Sequence, residues 1–428
     1  MDCKIGLLKH AGTWTTVPCL PGRNIVRCKW VFCLKRKADG SIDKYKAHLV
    51  VRGFTQIYGV DYYDTYSLVA WLTSFCLILT ITACNDWDVE AFDFNSAYLN
   101  GELEADEEIY MQEPPRYETG EVGLVKRLLK VLYSLKQARC KWYDVLHTAV
   151  TDLGFCISKA DPGVFTACIQ KDILILAVHV DDCTMTSNLP KLIMLYKEKL
   201  HAWYALTDLR PVSWLLGIQV TRDCKTQTIL LLQEAYIKLI IAHFSLADTK
   251  AYSTPMVPSA QYSKSDSLVS ATNAARMHKV PYCKAIGSLM YTSVTTHPDI
   301  TFVVLTLSQF LENPGEAHWE VVKQVFHYLL GTCDVALMYG GEWHDLLGFT
   351  NADGASQEHH HAISSHAFIM DGGTVSWSLQ KQELVMLSTA EAEYVVAMHT
   401  TKEGIWLCHL TGDIFSSKPE PIMLYCDN

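Results

Sequence analysis

The chain has 428 residues, 49% hydrophobic and 19% charged, with a net charge of −10. That apolar content supports a sizeable core over two or three domains and excludes a mostly disordered chain. No apolar run reaches the ~20 residues of a membrane span. Met1-Asp2-Cys3-Lys4 opens no apolar leader, and fifteen cysteines without a CxxC pair read as reduced thiols, against a disulfide framework or a structural zinc site.

Charge is unevenly spread. Residues 1–52 hold eleven Lys and Arg against three Asp, and a second basic cluster is Lys126, Arg127, Lys130, Lys136, Arg139 and Lys141. The stretch from Asp86 to Glu121 between them is acidic. This pattern suits a phosphate polymer held near metal ions, although charge alone favours the plainer reading of a solvated surface.

In chain order, Cys28–Leu34 and Lys46–Val51 predict two strands, joined through Lys37-Ala38-Asp39-Gly40-Ser41, an Asp-Gly hairpin signal. Leu72–Asn85 predicts a buried helix, Asp88–Phe94 a short strand, and Ser96–Gly101 a turn. Leu128–Leu153 reads as helix, with Tyr133, Trp142, Tyr143 and Leu146 at helical spacing. Ile173–Val180, Asp181-Asp182 and Cys183–Thr186 read as strand, tight turn, strand. A helix is predicted over Leu189–Trp203, a hairpin from Leu215–Val220 and Ile229–Leu232, and a helix over Glu234–Phe244. Pro258–Lys279 is the linker candidate, followed by helices at Tyr282–Ser293, Ile300–Leu311 and His318–Leu330. Tyr339-Gly340-Gly341 marks a second boundary. The tail predicts strands at Leu346–Thr350, Ala367–Met370 and Val375–Ser378, a helix from Ala390 to about His409, and a strand at Ile422–Tyr425.

The chemistry-bearing feature is Asp181-Asp182 at an apolar hairpin tip, with Asp93 at another strand end. Carboxylates so placed can hold divalent cations for phosphoryl transfer, since Mg²⁺ takes a few carboxylates plus phosphate oxygens. Asp-Asp is also an ordinary turn pair.

A longer set of ordered motifs narrows this. It includes Lys29-Trp30-Val31, Tyr45-Lys46-Ala47, Gly53-Phe54-Thr55-Gln56, Phe92-Asp93 with Ser96-Ala97-Tyr98-Leu99-Asn100-Gly101, and Leu135-Lys136-Gln137-Ala138 with Trp142-Tyr143. Val180-Asp181-Asp182, Leu216-Gly217-Ile218, Pro298-Asp299-Ile300 and His318-Trp319 follow. Ser376-Trp377, Glu391-Ala392-Glu393-Tyr394 and Cys426-Asp427-Asn428 close the series. Over nearly its whole length the chain resembles the reverse transcriptase region of copia-type retrotransposon polyproteins.

The resemblance implies an α+β fold: a right-hand polymerase (fingers, palm, thumb) followed by an incomplete RNase H-like α/β domain. The expected limits are 1–255 for fingers and palm, 256–343 for thumb and connection helices, and 344–428 for the RNase H-like part. It implies an RNA-directed DNA polymerase, acting on an RNA or DNA template, a primer and dNTPs, in a cytoplasmic particle or the nucleus and without a membrane. Asp93, Asp181 and Asp182 match carboxylates that hold two Mg²⁺ ions, with Mn²⁺ as the alternative. Tyr98 matches the aromatic gate that crowds a ribose 2′-OH, and would otherwise be a core tyrosine. Lys46 and Gln137 match nucleotide-pocket positions, and would otherwise be surface residues.

Departures from the pattern leave a second expectation open. The RNase H-like remnant comprises Asn351, where an acidic ligand is usual, with Asp353 nearby and Glu393 and Asp427 at matching positions. That module is expected to be inactive and, with its last helices missing, loosely packed. His48, Trp71, Cys76, Cys140, His297 and Cys408 stand where the family usually carries Arg, and Ser134 where it carries Gly. Most arginine codons begin with CG, and cytosine deamination there yields Cys, Trp, His or Gln. The alternative is therefore a catalytically dead relic that at most binds nucleic acid.

Overall fold

The computed structural model describes residues 1–36, 42–104, 106–209, 211–257, 262–263, 266–267, 276–341, 345–353, 361–386, 388–418 and 420–426. Its centre is an antiparallel sheet of six strands. In spatial order these are Leu206–Asp208, Asp88–Phe94, Asp182–Ser187, Asp172–His179, Val164–Ile169 and Cys156–Ile157. The middle strands are buried along almost all of Leu174–Val178 and Cys183–Ser187, so both faces must be covered.

On one face lie the helices Ala138–Asp152 and Pro190–Trp203, which bury Trp142, Leu146, Ile193 and Leu200 against Phe92, Phe94 and Leu176. On the other lies the helix Leu72–Cys84, apolar on every side and buried from Ser74 to Ala83, as suits a helix enclosed between layers. The Asp161 carboxylate accepts from the Trp71 amide at 2.9 Å and from the Ser74 hydroxyl, and so satisfies donors that a helix start leaves open. Gly163 lies against the 69–70 backbone, where an added Cβ would meet the Ala70 nitrogen at 2.0 Å.

A two-stranded ribbon, Cys28–Arg36 with Ile42–Val51, stands beside a small sheet of Trp14–Pro18, Leu124–Leu128, Tyr110–Met111 and Ile25–Val26. The expected ribbon pairing is present, and its turn at Lys37–Ser41 lies outside the described residues. A helix over Asp2–His10 buries Ile5 and Leu8. Helices Glu234–His243, Tyr282–Thr295, Thr301–Ser308 and Glu316–Thr332 form a separate apolar cluster. Most of the linker candidate 258–279 lies outside the described residues.

Two expectations are corrected. The helix expected from Leu128 begins at Ala138. Leu124–Leu128 is a strand paired with Trp14–Pro18, and the next amides bond elsewhere: Leu129 to the Thr13 carbonyl and Val131 to that of Gly101. Tertiary partners here outweigh helical spacing. Leu215–Val220 is two strands, because Leu216 and Gly217 both take positive φ (51° and 83°) in a two-residue turn. Leu337–Gly340, to which the sequence assigned no element, is a strand paired with Thr228–Leu232.

The tail is not loosely packed. Its sheet, ordered Gly373–Lys381, Ile363–Met370, Leu347–Ala352, Met423–Cys426, is covered by the helix Thr389–Phe415. Phe368, Leu407, Leu410 and Ile414 belong to the same core as the helix Leu72–Cys84. The Asp413 carboxylate accepts from the Ser158 hydroxyl and the Lys159 amide, both at 2.7 Å, and the Trp406 indole stacks on Trp71. Among the described residues no helix is long and apolar enough to cross a membrane.

Candidate active site

The hairpin Asp172–His179/Asp182–Ser187 turns through Val180 and Asp181. Val180 holds φ at 64°, a conformation unfavourable for a β-branched residue. The Trp142 indole N–H donates to the Val180 carbonyl at 2.7 Å, so a buried side chain from the helix Ala138–Asp152 pins the tip.

Strand Asp88–Phe94 pairs with Asp182–Ser187 so that Asp93 lies directly opposite Asp182. The Phe94 amide donates to the Asp181 carbonyl at 3.1 Å. That bond flanks the Asp93–Asp182 pair, which makes it the close, non-hydrogen-bonded type, with Cα atoms about 4.5 Å apart and side chains on one face. Asp93 and Asp181 are half-buried and Asp182 is exposed. One end of the central sheet thus gathers all three acids.

An aromatic layer adjoins them. The Tyr98 ring, in the short turn after Ser96, meets Tyr133 edge-on at 5.0 Å, and His48 meets Tyr133 at 5.4 Å. Burial pushes the Tyr133 phenol up to about 12, and the charges of Asp181 and Asp93 add to that shift. Burial also raises Tyr98, helped by Asp181 and opposed by a hydrogen bond from Arg139. Both phenols are therefore uncharged at neutral pH and lie within the field of the carboxylates. Lys4, from the helix Asp2–His10, donates to the Ser96 hydroxyl at 3.1 Å and lies 5.7 Å over the Tyr133 ring.

Sequence reasoning missed Tyr133 and Lys4 as neighbours of this site. The signal for Tyr133 was the next residue. Ser134, where the resemblance expected Gly, holds φ at 70°, so Tyr133 belongs to a left-handed turn and not to a helix. The Tyr133 carbonyl also accepts the Val51 amide at 3.0 Å, which ties it to the ribbon. Nothing in the sequence signals Lys4.

The remaining candidates are placed as follows. Lys46 lies two residues from His48 on the ribbon strand Ile42–Val51, and so on the face that meets Tyr133. Gln137 is 1% exposed. Its amide donates to the Asp61 carbonyl at 3.0 Å and accepts from Gln56 at 3.1 Å, so its side chain is engaged in holding the 56–61 segment.

In the tail, the Glu393 carboxylate accepts from the Ala352 amide at 2.9 Å, one residue after Asn351. The Asp353 carboxylate accepts from the Ile363 amide at 2.6 Å, closing the end of its strand pair. Asp427 lies outside the described residues. Cys76 sits in the apolar core and Trp71 on Trp406, while the His297 ring lies 3.3 Å from Asp299.

Among the described residues no three His, Cys, Asp or Glu side chains form a ready-made metal shell. Mg²⁺ does not need one, because it binds through one or two carboxylates and keeps waters or phosphate oxygens. The facing Asp93 and Asp182, with Asp181 beside them, fit that demand in donor type and number.

Residues 11–258 match the family model described as reverse transcriptase (RNA-dependent DNA polymerase). The chain is similar to the retrovirus-related Pol polyprotein from transposon TNT 1-94 of Nicotiana tabacum, with 37% identity over 98% of this chain and 32% of that protein. It is 34% identical to the corresponding polyprotein from transposon RE1 of Arabidopsis thaliana, over 97% of this chain and 28% of that protein. A putative transposon Ty5-1 protein of Saccharomyces cerevisiae is 28% identical over 73% of this chain and 99% of its own length. The chain spans about a third of the two plant polyproteins. Since the matched segment contains the hairpin, its facing strand and the aromatic layer, the chain belongs to the reverse transcriptase (RNA-dependent DNA polymerase) family, as the corresponding region of a copia-type retrotransposon Pol polyprotein.

Proposed function

We propose that this chain is an RNA-directed DNA polymerase that extends a primer on an RNA or DNA template from dNTPs. The observation that carries the reading is the register that sets Asp93 opposite Asp182 with Asp181 adjoining. These carboxylates would hold two Mg²⁺ ions, or Mn²⁺, which supply charge neutralisation on the phosphates and activate the attacking 3′-OH. Residues 1–255 act as fingers and palm, 256–343 as thumb and connection, and 344–428 as an RNase H-like part. Tyr98 walls the sugar, Lys46 on the ribbon faces the triphosphate, and the buried Gln137 shapes the pocket through the 56–61 segment. Catalysis rests on positioning and electrostatic stabilisation.

Primer extension by the purified chain, with Mg²⁺ or Mn²⁺, tests this. Extension that disappears in Asp182→Asn supports the reading, and no extension by the folded wild type under either ion refutes it. Asn351, neutral where an acidic ligand is expected, favours a second reading in which the chain is a relic that only binds nucleic acid. A gel shift with primer–template but no extension is its signature.

A further inference from the structure

We propose that Lys4 is a binding residue for the polyphosphate tail of the incoming nucleotide. The inference rests on the polymerase reading and adds to it a residue from outside the ribbon and the central sheet.

Two contacts locate the ammonium. It donates to the hydroxyl of Ser96, three residues beyond Asp93, at 3.1 Å. It also lies 5.7 Å over Tyr133, the ring that meets Tyr98 edge-on and lies within the field of Asp93 and Asp181. The cation therefore lies next to the turn that carries Tyr98, over a ring that feels the charge of Asp93 and Asp181.

The helix that delivers it is fixed. Ile5 and Leu8 are buried, Thr13 donates through its hydroxyl to the Leu8 carbonyl at 2.8 Å, and Tyr117 donates to Asp2 at the start of the helix. Lys4 is thus held beside the Ser96 turn by a packed element.

Its electrostatics are incomplete without an anion. Among the described residues Lys4 has no carboxylate within ion-pair distance, its partners being a hydroxyl and an aromatic face. Burial lowers its pKa, the mark of a cation whose lost hydration is only partly replaced. An anionic phosphate would compensate for that loss, and a lysine serves as a compact point charge for phosphate. The carboxylates attract metal and the lysine attracts the free phosphate oxygens, so the two charges act at different ends of one ligand.

The test is dNTP affinity in a ternary complex of the full chain, Mg²⁺ and a dideoxy-terminated primer–template, with no turnover. Lys4→Met is expected to weaken binding of the next correct dNTP about tenfold or more while leaving the corresponding dNMP unaffected. Lys4→Arg should restore much of it. Lys9→Met, at an exposed position on the same helix, should bind as wild type. An unchanged dNTP affinity in Lys4→Met, with wild-type binding intact, overturns the role of Lys4 alone. Failure of the wild type to bind any dNTP overturns the polymerase reading and this inference together. Equal weakening by Lys9→Met would reduce the effect to general charge and also overturn it.

Discussion

The indole N–H of Trp142 donates to the carbonyl of Val180, joining a buried helix residue to the tip that carries Asp181 and Asp182. The same indole ring meets Phe94 edge-on at 5.1 Å, next to Asp93. One side chain therefore touches both strand ends that bring the carboxylates together.

Trp142→Phe keeps an aromatic ring but leaves the Val180 carbonyl without this donor. Urea unfolding is expected to show a loss of about 1–3 kcal/mol, the usual cost of an unpaired buried polar group. Primer extension should fall more than template binding, because the tip loses its fixed position. Equal stability and activity in the variant would sink this role.

Tyr98→Ala removes the ring that Tyr133 supports from the side. Discrimination against ribonucleotides is expected to fall by about 10–200-fold, the range set by one steric group in a pocket. Extension rates with dNTPs and rNTPs measure it. An unchanged ratio in a folded variant counts against Tyr98 as the gate.

His366 lies on the tail sheet, where burial, together with the charge of His399, lowers its pKa to about 4. The unfolded chain has the ordinary value near 6.5 and so binds more protons between these two values. Stability from this group is complete above pH 6.5 and is lost as pH falls toward 4. The expected loss is on the order of 2 kcal/mol after allowance for partial exposure. Unfolding at pH 7 and pH 5 should show a smaller difference in His366→Gln than in the wild type. A ring that titrates near pH 6.5 by NMR would remove the basis for this.

The tail is expected to leave the RNA strand of an RNA–DNA hybrid intact. Asn351 offers a neutral amide oxygen, a weaker Mg²⁺ ligand than a carboxylate, and the Asp353 carboxylate is occupied by the Ile363 amide. Cleavage that is lost on Glu393→Gln would contradict the expectation.

Local pattern made much of this molecule readable from its sequence. The apolar run before Asp181-Asp182 predicts the hairpin because strand periodicity and turn chemistry are local. The buried helix Leu72–Cys84 and the strand Asp88–Phe94 follow from the same rules. The ordered motifs identify the family because each keeps its residue types within a few positions. Where local pattern misled, a partner far along the chain had intervened. The segment after Leu128 has helical spacing, yet its amides bond to Thr13 and Gly101, and Ser134 turns left-handed.

What only the tertiary structure decided is which distant residues share the site. Asp93 and Asp182 face each other because two strands from separate parts of the chain pair in one register, and a shift by one residue would turn one carboxylate to the other face. Tyr133 lies within the field of Asp93, and Lys4 lies over its ring, through packing of a terminal helix and a turn, with no spacing rule to announce it. Residue type and order set the chemistry available, since those are properties of the sequence itself. Hydrophobic burial and strand register, which depend on the whole chain at once, decided where that chemistry converges.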